Sequence, residues 1–283
     1  MLKGVISESI ISETEGRDDY KKRMREEKLN TWNDSALHGQ FIRQTKEIAD
    51  PQSWTWVKNG FLKRETEGMI FAAQEQSLRT NIIKSAIDKQ NVSHKCSLSG
   101  MFDETGMHIV SGCPKLAQKE YRRRHDKVAS RVHWELCKKY GLECTERWYE
   151  HKPSAVMECE EVTLYWDLTI QTDRTVEHNR PDIVLIEKKE HRWIIIDIAI
   201  PSDFNISKTE TWKVEKYQDL AFEIRRIHQV ETKLVPVVLG ALGTVSKQLK
   251  KSIEILSIPD IIASAQMSTI LGTANILRKV LCL

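Results

Sequence analysis

Residues 180–200 read RPDIVLIEKKEHRWIIIDIAI, and this stretch decides the fold. It contains two apolar runs, 183–186 and 193–200, on either side of a charged turn at 187–192. Short runs rich in β-branched residues that flank a polar turn predict an antiparallel hairpin. The second run is almost continuously apolar, as expected for a central strand that is buried on both faces. The stretch therefore predicts a sheet with this hairpin near its centre.

The sequence after the hairpin predicts a crossover to a parallel strand. Ser207 and Glu210 have the spacing of a capping box at a helix start, and apolar residues continue at helical spacing to Ile227. Residues 234–239 then read LVPVVL, a short strand-like run. A strand, a helix and a second strand at this spacing form a βαβ unit. The second strand is therefore expected to run parallel to 193–200.

The rest of the chain is predicted to be mainly helical. One earlier strand is expected at residues 162–170, which read VTLYWDLTI. The stretch 94–114 has little periodicity and is rich in Cys, His, Gly and acidic residues. Helical periodicity or alternating charge covers the segments 18–30, 61–88, 118–140, 245–256 and 261–281.

The composition is that of an ordinary soluble protein. The 283 residues are 40% hydrophobic and 29% charged, which argues against wholesale disorder. The length corresponds to about two domains. The net charge of +3 means that any basic nucleic-acid footprint must be local. Sparse cysteines, no recognisable signal peptide and polar interruptions in the apolar segment 261–277 predict an intracellular protein without a membrane span.

Two aspartates occupy positions where a carboxylate is costly. Asp182 opens the first strand of the hairpin, and Asp197 lies within the apolar second strand. An ionised carboxylate in such a strand requires a cation or strong donors. A turn centred near residues 190–191 places Asp197 within about two residues of the position opposite Asp182, with the parity of the register left open. The two side chains could therefore share one Mg²⁺ ion.

The helix after the hairpin carries lysines at a matching height. It must run back along the strand that it leaves, and Asp197 lies about 10 Å from the end of that strand. Lys213 and Lys216 lie about 9 and 14 Å along the helix. Two acids, a hard cation and a lysine constitute a site for phosphodiester hydrolysis. The alternative is that Asp197 is a buried acid paired with Arg180 or a lysine.

Residues 163–220 resemble the restriction-enzyme-like endonuclease domain of site-specific non-LTR retrotransposons, which belongs to the PD-(D/E)xK nuclease superfamily. The resemblance rests on Arg180-Pro181-Asp182, fourteen further residues and then Asp197. In that family the lysine has moved from the position two residues after the second acid, which is Ala199 here, to the next helix. The next helix of this chain carries Lys213, Lys216 and Tyr217.

The resemblance implies a fold and an activity. The fold is an α/β restriction-endonuclease-like core with an αβββαβ mixed sheet. The activity is that of a Mg²⁺-dependent (or Mn²⁺-dependent) endodeoxyribonuclease, which nicks target DNA in the nucleus and leaves a 3′-hydroxyl primer. The assigned residues are Asp182, Asp197 and the Ile198 carbonyl for the metal, Lys213 or Lys216 for catalysis, and Arg180 and Tyr217 for nucleic-acid contact.

The segment before the nuclease resembles the zinc knuckle of the same elements. The family has a Cys-Cys-His-Cys pattern there. Structural zinc normally takes four ligands, so His94, Asp103 or water would have to complete a weaker Zn²⁺ site in this chain. The alternative is a decayed site with ordinary buried thiols. The residues that match the knuckle spacing are Cys96, Ser99, His108 and Cys113, with Ser99 in place of a cysteine.

The resemblance also suggests a division of the chain. Residues 1–92 would be a helical linker, 93–116 the degenerate knuckle, 117–258 the nuclease and 259–283 a C-terminal helix. No Tyr-x-Asp-Asp motif occurs, so the polymerase part of such an element is expected to be absent. The linker is similar to the family at Trp56, Gly60, Leu62, Thr66 and Glu67.

A basic run next to the knuckle is the candidate nucleic-acid contact. Beside a nuclease it is expected to bind DNA phosphates, with element RNA as a further candidate partner. As an isolated feature it would be a solvated helix face. The alternative function is therefore a catalytically inactive retroelement remnant that binds nucleic acid through the knuckle and this helix. The run comprises Lys119, Arg122, Arg123, Arg124, Lys127 and Arg131.

Overall fold

The structure is a computed structural model that describes residues 16–35, 38–59 and 61–282. Residues 1–15, 36–37, 60 and 283 lie outside the described part. The start of the predicted linker, its Gly60 and most of the sequence on which a signal peptide was judged absent are therefore among the residues not described.

The N-terminal half is helical. The helix predicted over 61–88 is divided in two: Gln76, just after the end of the first helix, has a positive φ of 54°, which is incompatible with a continuous right-handed helix. Helix 118–140 is confirmed in its greater part. The helices of this half are α1 (Arg17–Asn33), α2 (Gln40–Thr45), α3 (Thr55–Lys58), α4 (Arg64–Gln74), α5 (Asn81–Ala86), α6 (Pro114–Leu116) and α7 (Arg122–Lys139).

The C-terminal half contains a mixed five-stranded sheet within the described residues. Its spatial order is β1-β2-β3-β4-β5, and each neighbouring pair is antiparallel except β4 and β5, which are parallel. The strands are β1 (Val156–Glu158), β2 (Val162–Trp166), β3 (Ile183–Glu187), β4 (Arg192–Ala199) and β5 (Glu231–Val238). The helices of this half are α8 (Ile206–Lys216), α9 (Gln218–His228), α10 (Lys247–Leu256) and α11 (Ile261–Leu281).

The predicted hairpin and crossover are both confirmed. β3 and β4 form the antiparallel hairpin, and α8 and α9 connect β4 to the parallel β5. The α/β class is therefore confirmed, with β1 as an edge strand that the sequence did not predict. The capping box is wrong: α8 begins after Asn205 without a side-chain cap, and Glu210 instead accepts a hydrogen bond from Ser246. The predicted single helix also breaks at Tyr217, which separates α8 from α9.

Helices cover both faces of the sheet. Ile183 and Ile196 share a buried core with Val128 of α7. Val184 and Ile195, which have the opposite parity, pack against α9 on the other face. Burial of each such side chain contributes about 1.5–3 kcal/mol. Because side chains alternate along a strand, Asp197 has the parity of Ile195 and is directed towards the side of α8 and α9.

The knuckle-like segment packs against the end of the chain. Ile109 and Leu116 share a core with Ile276 and Leu277 of α11. Among the described helices, none combines the length and the apolar character that crossing a bilayer would require. The six cysteines, all within the described residues, are free thiols.

We expect Gly240→Ala to destabilise the protein by about 1–3 kcal/mol through overpacking. A Cβ at this position would lie 2.1 Å from Oδ1 of Asp203. That carboxylate is fixed, since it accepts backbone N–H groups from Leu242 (2.9 Å) and Thr244 (3.1 Å). Gly68→Ala is the control, because nothing lies within 4 Å of its Cβ position in α4. Urea unfolding should show the control equal to or more stable than wild type; equal losses would contradict the prediction.

A second stability prediction concerns Glu210 and has a defined pH dependence. Burial raises the pKa of Glu210, so its ionisation at neutral pH destabilises the folded state. The wild type therefore gains stability as the pH falls through the raised pKa, whereas Glu210→Gln, which stays neutral, does not. Urea unfolding should show the variant more stable than wild type at pH 7.5, with a smaller gain at about pH 4.5. An equal gain at both pH values would contradict the prediction.

Candidate active site and metal-binding residues

The β3–β4 register places the two predicted aspartates opposite each other. Ile183 pairs with Ile196, so the next position, just before β3 begins, brings Asp182 opposite Asp197. From the sequence, the residue opposite Asp197 could be predicted only to within one position. The observed strand register identifies it as Asp182. The backbones of the two acids therefore lie opposite each other at the end of the sheet where β4 leads into α8.

Asp182 is held by the backbone of β4 and by α7. Its Oδ2 accepts the Ile198 N–H at 2.7 Å and lies 3.1 Å from Nε2 of His125. The same His125 nitrogen is 3.2 Å from the Ile198 carbonyl oxygen. Burial opposes ionisation of Asp182, but the hydrogen bonds and charge of His125, with the charge of Lys213, lower its pKa overall. Asp182 is therefore an ionised carboxylate beside the Ile198 carbonyl.

His125 is a site residue that the sequence analysis missed. Its Nδ1 lies 3.0 Å from Oδ1 of Asp126, while its Nε2 faces Asp182. Burial opposes the charged imidazole, but the two carboxylates outweigh burial and raise the pKa of His125 to about 10. A signal for it exists in the sequence: His125 lies three and seven residues before the buried Val128 and Val132, on the sheet-facing stripe of α7.

Asp197 is surrounded by donors from the crossover helices. It is only 5% exposed. The Tyr217 hydroxyl donates to its Oδ1 at 2.5 Å, and Lys216 Nζ lies 3.8 Å from the same oxygen. Lys213 forms an ion pair with Oδ2. Both predicted lysines therefore reach Asp197, and the pairing of Asp197 with a lysine, which the sequence left open, is present.

Tyr217 and Arg180 make contacts that the sequence did not predict. Tyr217 is 1% exposed and its hydroxyl is bonded to Asp197, so it cannot contact nucleic acid from this position. Arg180 does not pair with Asp197. Its Nε and Nη2 each donate at 2.8 Å to the carboxylate of Asp167, whose N–H donates to the Asp182 carbonyl. Arg180 nevertheless remains exposed at the surface.

An open cleft of about 290 Å³ leads to Asp182 from the α7 side. Its walls carry three acids and two basic groups, so a divalent cation and a phosphate would both find partners there. The lining residues are Arg122, His125, Asp126, Trp166, Asp167 and Asp182.

The knuckle residues form a group that is compatible with metal binding. The ligand atoms of Cys96, His108 and Cys113 all lie within 4.8 Å of one another. The two sulfur atoms are 3.8 Å apart, which is the separation of about 3.8 Å that tetrahedral zinc would set. His108 Nε2 is buried and has no hydrogen-bond partner among the described residues, and burial lowers the His108 pKa. An available neutral imidazole is the form that coordinates a metal.

Ser99 stands where the resemblance predicts a knuckle cysteine. Its side chain and backbone hydrogen-bond to Cys96, and against the effect of burial these bonds lower the pKa of that thiol. The proposed substitutes, His94 and Asp103, lie outside the group of converging ligand atoms. They approach each other to 3.5 Å in an exposed ion pair to which Lys95 also belongs.

Two members of the basic run are structural. Arg124 is 2% exposed and donates to Thr273 Oγ1 and the Ile200 carbonyl. Arg131 is 8% exposed and bonds Ser264 and Glu135. Their predicted contact with nucleic acid is therefore wrong, because helical periodicity turns these two positions inward. The remaining basic residues line a cleft of about 480 Å³ beside two aromatic side chains. This cationic cleft comprises Lys119, Arg122, Arg123, Lys127, Trp148 and Tyr149.

Comparison with known proteins does not assign a family. No protein-family model matches the chain, and no curated protein matches it. The chemistry of the site therefore rests on the residues described above.

Proposed function

We propose that this protein is a metal-dependent endodeoxyribonuclease that nicks target DNA by phosphodiester hydrolysis. The observation that carries the proposal is the opposition of Asp182 and Asp197, with Lys213 in contact with Asp197 and close enough to lower the pKa of Asp182 as well. Two acids at opposed positions, one of them in contact with a buried lysine, are costly in a purely structural core. The origin in a non-LTR retrotransposon and a nuclear location belong to the same proposal.

In this proposal a hard divalent cation binds at the open end of the hairpin. Asp182, Asp197 and the Ile198 carbonyl supply the oxygen ligands that Mg²⁺ and Mn²⁺ prefer. When bound, such a cation lowers the pKa of a coordinated water and neutralises charge that develops on the phosphate. His125 is a positioning residue, since it bridges Asp182 and the Ile198 carbonyl. Lys213 and Lys216 supply N–H donors for the transferring phosphate or its attacking water.

The cationic cleft provides a path for the DNA backbone. Arg122 and the neighbouring Asp126 line both this cleft and the cleft of about 290 Å³ that leads to Asp182, so a strand lying along α7 would pass from the basic residues to Asp182. Tyr149 is exposed at its edge, where an aromatic ring can stack on an unpaired base. A nicking enzyme requires cationic side chains that bind DNA phosphates and, beside them, oxygen ligands for a metal ion.

A plasmid-nicking assay tests the proposed function. Supercoiled plasmid carrying candidate target sites is incubated with the protein and Mg²⁺ or Mn²⁺, with EDTA as the control. We expect metal-dependent conversion to the open circle and nicks that a polymerase can extend, which identifies a 3′-hydroxyl. Binding of the plasmid without any cleavage at either metal would contradict the proposal.

A second candidate is a nucleic-acid-binding protein without catalysis. One observation favours it: Lys213, Lys216 and Tyr217 already satisfy the charge of Asp197. In this case the knuckle and the cationic cleft would bind DNA or RNA, and Asp182 and Asp197 would have no catalytic role. The nicking assay separates this candidate from the first, whereas binding alone does not.

Both candidates predict that the cationic cleft dominates binding. We expect Arg122→Ala with Arg123→Ala to weaken DNA binding by about tenfold at moderate salt and to reduce the salt slope by about two. Lys250→Ala with Lys251→Ala is the matched control, because it removes the same charge from the exposed face of α10. Fluorescence anisotropy over a salt series measures both quantities. Equal losses in the two double variants would contradict a specific role for the cleft.

A further inference from the structure

A second group of metal-ligating side chains lies in the core beside α7. His133 and Cys137 occupy successive turns of that helix, and His151 follows the turn Trp148–Glu150. Their ligand atoms all lie within 4.8 Å of one another, and all three residues are buried. His133 Nδ1 is 2.8 Å from His151 Nε2 and 3.4 Å from Cys137 Sγ. Two imidazole nitrogens and a sulfur thus face a common point.

Met157 of β1 adds a thioether to this group. Its Sδ lies 3.7 Å from Cys137 Sγ. A tetrahedral zinc ion would set about 3.8 Å between two sulfur ligands, about 3.5 Å between nitrogen and sulfur, and about 3.3 Å between two nitrogens. The sulfur distances already agree with these values. The rings of His133 and His151 would have to separate by about 0.5 Å to admit the ion.

Burial determines the protonation of the group before any ion binds. Burial, together with His151, lowers the pKa of His133 to about 3, and burial also lowers that of His151. Both rings are therefore neutral at pH 7, as metal ligands must be. Burial, with a smaller contribution from Cys144, raises the pKa of the Cys137 thiol to about 12. The thiol keeps its proton until an ion binds, and binding releases that proton to solvent.

We propose that His133, Cys137 and His151, with Met157 as a weaker fourth ligand, bind a thiophilic transition-metal ion, Zn²⁺ or Cu⁺. Thiolate, thioether and imidazole ligands select ions of this class and disfavour Mg²⁺ and Ca²⁺. The proposal does not depend on the proposed nuclease activity, because it uses a different set of residues. Cys137 has no ligand partner at a recognisable spacing in the sequence, since its partners are brought to it only by the fold.

The ion would fix the segment 148–151, which forms one side of the cationic cleft, to α7. His151 continues the segment that carries Trp148 and Tyr149, both of which line that cleft. A bond from His151 through the ion to Cys137 would join this segment to the C-terminal turn of α7. Arg131 already packs over the Trp148 ring at 5.6 Å, and the ion would add a covalent-like restraint to that contact.

Metal stoichiometry tests the proposal. The protein is loaded separately with Zn²⁺ or Cu⁺, desalted and analysed by elemental mass spectrometry, and circular dichroism checks the fold. Cys96→Ser with Cys113→Ser removes the knuckle group, and we expect this double variant to retain about one ion. Adding His151→Gln should remove that ion while the fold is retained. Comparison of the two loading experiments shows which of the two metals the site takes.

Cobalt provides an independent readout of the thiolate. In the Cys96→Ser/Cys113→Ser variant, Co²⁺ should give thiolate-to-metal charge-transfer absorption. Cys137→Ser should abolish this band, whereas Cys159→Ser, which replaces a thiol outside the group, should leave it unchanged. If the double variant does not fold, the wild type is compared with His151→Gln: one ion fewer supports the site, and an equal number overturns it. A folded double variant that binds neither Zn²⁺, Cu⁺ nor Co²⁺ also overturns it.

Discussion

Asp182→Asn should reduce metal-dependent nicking by about 10³-fold, which corresponds to about 4 kcal/mol of transition-state stabilisation. The substitution removes one negative charge from the proposed cation site. Its amide oxygen can still accept the Ile198 N–H that Asp182 accepts at 2.7 Å, so the fold should be retained. Single-turnover nicking at saturating Mg²⁺, with unfolding curves for each protein, measures the two effects separately.

The matched control for this variant is Asp173→Asn. Asp173 is an exposed acid that pairs with Arg226 on the far side of the crossover, and the chemical change is identical. We expect this control to nick at the wild-type rate. Nicking by Asp182→Asn at a rate close to wild type would remove Asp182 from the mechanism, and an equal loss in both variants would indicate a general effect of charge.

Asp197→Ala should lower the free energy of unfolding by about 3–5 kcal/mol. Asp197 compensates the ammonium groups of Lys213 and Lys216, whose side chains are largely buried. Its removal leaves two largely buried ammonium groups without the carboxylate that they contact, which is costlier than the pair is stabilising. Urea unfolding near neutral pH measures the loss.

A second substitution separates loss of charge compensation from loss of packing. In Asp197→Ala with Lys213→Met one of the stranded charges is removed at similar side-chain length. We expect the double variant to recover a substantial part of the lost stability. Failure to recover any of it would mean that packing, rather than the buried charges, accounts for the effect of Asp197→Ala.

The parts of the fold that the sequence predicted are those with strong local patterns. The hairpin was predictable because two apolar runs flank the charged turn at 187–192, which limits the register of β3 and β4 to within about one residue. The crossover followed because a buried strand, an amphipathic helix and a second apolar strand admit few arrangements. The same crossover geometry predicted that Lys213 and Lys216 lie level with Asp197 along the strand, and both lysines approach Asp197 in the structure.

The parts that escaped prediction depend on tertiary contacts. Arg124 and Arg131 belong to a charged run, yet helical rotation buries them against α11 through Thr273 and Ser264. His125 belongs to the same run, but it faces the end of the sheet and contacts Asp182 there. A one-dimensional pattern shows charge along α7, and only the position of the sheet and α11 decides which residues of α7 face outward.

Local signals also competed with one another. Ser207 and Glu210 have the spacing of a capping box, but Glu210 is drawn to Ser246 on the other side of β5. The helix consequently starts at Ile206 with an uncapped N-terminus. A tertiary hydrogen bond thus overrides a short-range preference that is worth about 1 kcal/mol.

Crystallographic location of Mn²⁺ tests the central claim most directly. Crystals are grown with Mn²⁺ in place of Mg²⁺, and data are collected above and below the manganese absorption edge. We predict an anomalous peak at the end of the β3–β4 hairpin, within about 2.3 Å of Asp182, Asp197 and the Ile198 carbonyl oxygen, with Lys213 displaced from Asp197. A structure with no manganese at this position at saturating concentration, and with Lys213 still paired with Asp197, would contradict the claim.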